Sequence, residues 1–348
     1  MRKTMKVLAI IGAVALALGL ILCAGAMAAS DGGIRDGLHW LTLPAYWTRG
    51  GDGQVEFRVG ESQAPVTLTY TAQGPVNALT LGVTSNDVQL VPSDSLSALR
   101  ITYDQTRDDQ FTIQEENGAL TFKEQGQATV GFNFGFNVKN TRVLVEYPAA
   151  QTFESLTVVC VSGDVDSKVP AAGKVVIGTT SGDVRTEALT AESLEVTTIS
   201  GEQRLGPVSA GTIELASTSG DIRFDALDAD TVSATSISGS VKGSVRCRDL
   251  NAGTTSGDVA LKLDSETSTV GTISGEVELK LAPAAYRTEL STASGDARIG
   301  NRSYDRDEFP FKGRFTLEAN GEVTSGTPEG ARTLSVTTTS GEVSLKID

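Results

Sequence analysis

The side chains able to do chemistry are few, and most of them sit in one recurring tripeptide. Serine, glycine and an acid follow one another at Ser162-Gly163-Asp164, Ser181-Gly182-Asp183, Ser200-Gly201-Glu202 and Ser219-Gly220-Asp221. The same order returns at Ser256-Gly257-Asp258, Ser274-Gly275-Glu276, Ser294-Gly295-Asp296 and Ser340-Gly341-Glu342. A serine nucleophile needs a base beside it, and the repeat offers none. The chain's one histidine, His39, lies far upstream and reads as a surface or interface residue.

The acids are the second candidate. If the units stack, the row from Asp164 to Glu342 lines one edge at about 4.8 Å per unit, and such oxygens could take Ca²⁺ between neighbours. Yet Asp and Glu interchange freely and Ser240 interrupts the row. A coordination shell tolerates neither, so the acids read as solvated turn residues and no cofactor is expected. A glycosidase needs one specific carboxylate pair in a cleft, which a uniform row does not supply. Zinc spacing and phosphate-cradling loops are absent. Of the three cysteines, Cys23 lies in an apolar N-terminal run, while Cys160 and Cys247 fall four units, roughly 19 Å, apart. That is beyond disulfide reach, so both read as small buried hydrophobes.

What must position these residues is a repeat. The serines, with Ser238 included, stand at spacings of 19, 19, 19, 19, 18, 18, 20 and 46 residues, the mark of stacked supersecondary units. Apolar residues recur six positions before the serine (Leu156, Val175, Leu194, Ile213, Val232), four before it (Val158, Ile177, Val196, Leu215) and three after it (Val165, Val184, Ile222, Val241), the last column broken by Gln203 and Ala297. This period-2 pattern demands strands with one buried face. Two positions before the serine stands a small, mostly hydroxylated residue, from Cys160, Thr179 and Thr198 to Thr338, read as a ladder that stabilises the corner. The glycine is expected to supply positive φ, and Ser and Asp to bond local amides. Val169, Leu189, Val208 and Leu227 mark a second corner.

The expected fold is therefore all-β: a single-chain β-solenoid with about 19 residues per coil, each a flattened coil of two short strands and two turns. Nine coils would make a rod on the order of 40 Å long. Residues 151–348 form its regular part, and 52–150 an irregular N-terminal β-region with a Ser85-Asn86-Asp87 corner and alternating Phe132, Phe134 and Phe136. An insertion at about 301–332, with Tyr304, Phe309, Phe311 and Phe315, is read as a C-terminal cap, the alternative being a protruding binding loop.

The formal net charge is −14, with Arg2, Lys3 and Lys6 contributing +3. No Lys/Arg cluster is evident beyond that N-terminus, so nucleic acid is not expected as a partner. An uncharged stretch follows from Val7 to Ser30. Residues 1–30 read as a retained single-pass membrane helix with the C-terminal part outside; the alternative is a signal segment cleaved in the run Ala24–Ala29, releasing a secreted protein. Residues 31–51, with Trp40, Tyr46 and Trp47, read as a juxtamembrane linker or cap.

Several of these residues resemble a known family. The elements Ala78-Leu79-Thr80-Leu81, Ser85-Asn86-Asp87-Val88, Val145-Glu146-Tyr147-Pro148, Leu156-Thr157-Val158 and Ser162-Gly163-Asp164-Val165, followed by the run of Ser-Gly-Asp units, resemble the bacterial adhesin-type domain family DUF4097 over roughly residues 50–348. The resemblance implies an anchored β-helical body and no catalytic residues. The function expected is that of a non-catalytic, membrane-anchored, extracytoplasmic scaffold or adhesin-like binding protein, engaging a cell-envelope component or another protein. The competing reading is an envelope-stress accessory or sensor acting on a membrane partner; a carbohydrate-active β-helix enzyme ranks third.

Overall fold

Strictly alternating apolar columns leave the chain one way to bury them: short strands laid side by side with their apolar faces turned together. The computed structural model describes residues 65–106, 110–125, 141–326 and 328–348, and there every regular element except two 3-10 helices, Arg306–Glu308 and Pro310–Gly313, is a β-strand. Outside the described residues lie Cys23, His39, Trp40, Tyr46, Trp47, the expected anchor and linker, and Phe132, Phe134 and Phe136. Among the described residues no helix is long and apolar enough to cross a membrane.

Residues 19 apart stand beside each other in parallel register. Leu156 pairs with Val175, Val175 with Leu194, Leu194 with Ile213 and Ile213 with Val232. After the corner, Val165 pairs with Val184, Val184 with Gln203 and Gln203 with Ile222. Each rung of this ladder thus gives one strand before the tripeptide and one after it. The paired columns enclose a single core in which Val158, Val196, Leu215 and Ile222 are fully buried. At about 1.5–3 kcal/mol per buried aliphatic side chain, three to five such residues per rung dominate the attraction between rungs.

Where the period shortens from 19 to 18, the register identifies the missing residue. Phe224 pairs with Gly243 and Leu227 with Val245, so two corner residues, Asp225 and Ala226, face only Ser244. The deletion falls in the second corner and leaves the core columns in phase.

Within its long strand each rung leaves one residue unpaired, at Gly173, Glu192, Gly211, Asp230 and Arg248. Two expectations are corrected. The corner glycines from Gly163 to Gly275 do not lie at positive φ. Their necessity comes from stacking, since a Cβ on Gly182 would sit 1.8 Å from the Gly163 carbonyl oxygen, and one on Gly201 the same distance from that of Gly182. Only Gly295 (φ 156°) and Gly341 (φ 145°) add the backbone requirement. Finally, rungs are not stacked in sequence order throughout.

That reordering occurs at both ends. At one end the unit made of Ala78–Val83 and Asp87–Ser93 lies between the Phe153–Cys160 rung and an outer rung formed by Ala119–Glu124 and Arg142–Pro148. At the other, the last unit in sequence, Arg332–Thr337 and Val343–Ile347, slides between the Ser274 rung and the earlier Ser294 rung. Antiparallel strands then close the stack: Phe111–Glu116, Arg100–Gln105 and Val66–Thr71 at the first end, and Arg302–Tyr304 and Arg314–Leu317 at the second. The insertion is a cap, with Phe315 and Leu317 buried and Tyr304 and Phe309 packed on the core; the Phe311 side chain lies outside the described set. A matching aromatic plug of Tyr103, Phe111 and Phe122, ring centroids 4.9–5.2 Å apart, covers the opposite end.

Candidate functional site: a charged edge and its groove

The corner is built from the hydroxyl column upward. The amide of Gly182 donates to Thr179 Oγ1 at 2.8 Å, that of Gly220 to Ser217 Oγ at 2.8 Å and that of Gly239 to Ser236 Oγ at 2.9 Å. Cys160 Sγ stands in for the hydroxyl, accepting from Gly163 at 3.0 Å. Several hydroxyls also donate back to the neighbouring rung, as Thr254 does to the Gly239 carbonyl at 2.8 Å. This is the expected corner-stabilising ladder. Gln203, the break in the core column, is fully buried and donates through Nε2 to the Ala216 carbonyl at 2.7 Å.

The acids work between rungs and not within their own turn, which corrects the expectation of local amide bonds. Asp164 Oδ1 accepts the amide of Asp183, and Asp183 Oδ1 that of Glu202, each at 2.9 Å. Asp221 takes the amide of Ser240 at 2.7 Å, and Asp258 that of Glu276 at 3.0 Å. The other oxygens face cations: Arg185 reaches Asp183 at 2.7 Å and Asp164 at 3.4 Å, Arg204 reaches Glu202 at 3.0 Å, and Arg223 contacts both Glu202 and Asp221. Asp296 and Glu342 continue the edge, the latter 3.6 Å from Arg298. The motif serines, from Ser162 and Ser181 to Ser294 and Ser340, are exposed, with no hydrogen bond to a described side chain that would activate them. No group of three or more potential metal ligands occurs among the described residues.

The structure also aligns residues that sequence reading missed. Arg185, Arg204, Arg223 and Lys242 pair across successive rungs and point outward. The row then shifts two residues along the strand, because Ser244 faces Lys262, and continues through Lys280 and Lys346. Seven consecutive rungs therefore carry one cation each, correcting the view that no Lys/Arg cluster exists beyond the N-terminus. The first four were legible as basic residues four positions after each serine; the rest were hidden by the shift and by the inserted last unit. A groove of about 730 Å³ runs beside Arg185, Arg204, Arg223 and Lys242, between the cations and the second corner at Ala188 and Pro207.

Both described cysteines are free and buried. Burial pushes the Cys160 thiol up to about 11 and the Cys247 thiol up to about 12, so neither is a thiolate nucleophile at neutral pH.

The model of the Toastrack DUF4097 family matches residues 76–346. The chain belongs to that family. Solved structures similar to the chain include a crystal structure of a "putative adhesin" from Bacteroides fragilis, 16% identical, with a TM-score of 0.39, covering 82% of this chain and 98% of that one. A second "putative adhesin", from Parabacteroides distasonis, is 12% identical with a TM-score of 0.41, covering 81% and 97%. A third, also from Parabacteroides distasonis and described as a "putative lipid binding protein", is 14% identical with a TM-score of 0.33, covering 82% and 98%. Among curated proteins none matches the chain.

Proposed function

We propose that this Toastrack protein is a non-catalytic, extracytoplasmic binding scaffold: a β-solenoid of about 19 residues per coil, held at the membrane by its N-terminal segment and presenting its charged edge to a cell-envelope component. The observation that carries the reading is how the repeated polar groups are used. Corner hydroxyls and carboxylates are engaged with backbone amides of their own or the next rung, which makes a rigid array and leaves only the outward rows for contact. A catalytic centre instead needs one locally distinct constellation with perturbed acids or bases.

Expression of the full chain followed by membrane fractionation and protease treatment of intact cells tests it. The expected result is a membrane-bound protein digested from outside and co-sedimenting with isolated envelope material. Full protection from external protease, or absence from the envelope pellet, would overturn the reading.

A further inference from the structure

The cation row and the groove beside it point to a particular ligand chemistry. One cation per rung places positive charge at intervals of about 4.8 Å, so a matching ligand must be extended and carry anions at short, regular spacing. The acids beside the row are already committed, one oxygen of Asp164, Asp183, Asp221 and Asp258 being held by the next rung's amide. The cations are partly committed too. A guanidinium has five N–H donors; Arg204 spends only its Nε on Glu202, whereas Arg185 and Arg223 each place both terminal nitrogens on carboxylates and Lys280 pairs with Glu278. Lys242, Lys262 and Lys346 form no ion pair with a described residue.

The groove adds a second, independent constraint. It follows four rungs, on the order of 14 Å, with cations along one rim and, across from them, the exposed Ala188 and Pro207 beside the acids Glu187 and Asp225; Leu205 and Phe224 reach its floor from the core. A trough with one basic rim and small apolar surfaces across from it fits a single chain whose units have a charged edge and a flat carbon face, as sugar rings bearing carboxylates do. A bare polyphosphate has no such face. Duplex nucleic acid carries one charge per about 1.7 Å of axis, and the acid row, within a Debye length of about 8 Å, repels that density far more than one anion per sugar.

We propose that this groove and cation row bind a linear carboxylate-bearing polysaccharide, with Arg204 taking a carboxylate through its remaining N–H donors, Arg223 and Lys242 adding charge along the rim, and Ala188 and Pro207 covering sugar faces. This deepens the envelope-binding reading and rests on it.

Calorimetry on the detergent-solubilised full chain provides the test, using oligogalacturonate, polyphosphate and a neutral glucan oligomer as probes. Oligogalacturonate is expected to bind with an affinity that falls as salt rises. Arg204→Gln with Arg223→Gln should weaken it about tenfold or more, and Lys262→Gln with Lys280→Gln, beyond the groove, by less; circular dichroism melts confirm that both variants fold. Binding unchanged in the arginine variant overturns the proposal, as does equal binding of polyphosphate or of the neutral glucan. Envelope co-sedimentation separates the two readings. If wild type sediments with the envelope while calorimetry shows no oligogalacturonate binding, the glycan groove is wrong and the scaffold stands; if wild type stays in solution, the scaffold reading itself fails.

Discussion

In the middle of the ladder a rung draws almost everything from its neighbours, whereas at the ends the chain has to supply its own closure. From Gly182 to Gly275 each corner glycine lies against the carbonyl of the corner glycine before it, each strand has a parallel partner on both sides, and the hydroxyl and acid columns tie one rung to the next. At the ends, antiparallel strands and aromatic rings take over, and the hydroxyl column loses its function: Thr292 Oγ1 and Thr338 Oγ1 are buried with no hydrogen-bond partner. Identical sequence positions thus carry different energies, because the tripeptide's value lies in having another tripeptide above and below it.

The largest effect should come from the stacked glycines. Gly201→Ala would force a methyl to within 1.8 Å of the Gly182 carbonyl oxygen and is expected to cost about 3 kcal/mol or more. Gly178→Ala, in the same part of the ladder but with nothing within 4 Å of the added carbon, should stay within about 0.5 kcal/mol. Urea denaturation of the two variants side by side measures the difference; similar midpoints would show that the corners are not stacked as described.

The inserted last unit is fastened by Arg332, whose Nη1 donates to Asp264 at 2.7 Å and to the Tyr286 hydroxyl at 3.1 Å. Removing that charged donor by Arg332→Met should cost about 1–2 kcal/mol, since the side chain is partly solvated. Limited proteolysis should then release fragments from the C-terminal rungs before the middle is cut.

The hydroxyl column allows a sharper contrast. Thr179→Val removes the acceptor of the buried Gly182 amide and should destabilise by about 1 kcal/mol. Thr338→Val removes a hydroxyl that has no partner and should be neutral or slightly stabilising. Thermal melts of both variants test this, and an equal loss in each would erase the distinction between middle and end.

The smallest effect concerns pH. Glu195 is half-buried and stands beside Glu214 on the next rung; desolvation first, and Glu214 second, raise its carboxyl above the ordinary range. A raised carboxyl means that the folded state prefers the protonated acid, so its contribution is intact below the usual value of about 4.3 and is lost as pH climbs through the raised one. Between pH 4 and pH 7, on the order of the carboxylate range, wild type should lose more melting temperature than Glu195→Gln. Parallel slopes would show that Glu195 is as solvated as an ordinary surface acid.

Much of the middle was legible in the sequence because each of its constraints is local and repeated. Val158, Ile177 and Val196 announce a buried face, and the serine spacing announces the register. The role of Gly182 was read from the wrong cause: a tight corner and a close approach of two backbones both select glycine, and only coordinates separate them. The cation row escaped because charge was read along the chain, where Arg185, Arg204 and Arg223 lie 19 residues apart and look dilute. The end topology was illegible for a different reason. The 46-residue gap before Ser340 revealed an insertion, yet nothing in Arg332–Thr337 distinguishes a strand that lies beyond the Ser294 rung from one that slips beneath it.

That slipped strand has a bearing on how such a protein can change length. A unit appended after residue 347 would find both neighbouring positions already taken, by the Ser274 rung on one side and the Ser294 rung on the other. The Ala78–Ser93 unit is enclosed in the same way. A coil inserted among the interior repeats, by contrast, would find a free parallel partner on each side and leave both closing ends in place, so height could change without rebuilding either lid.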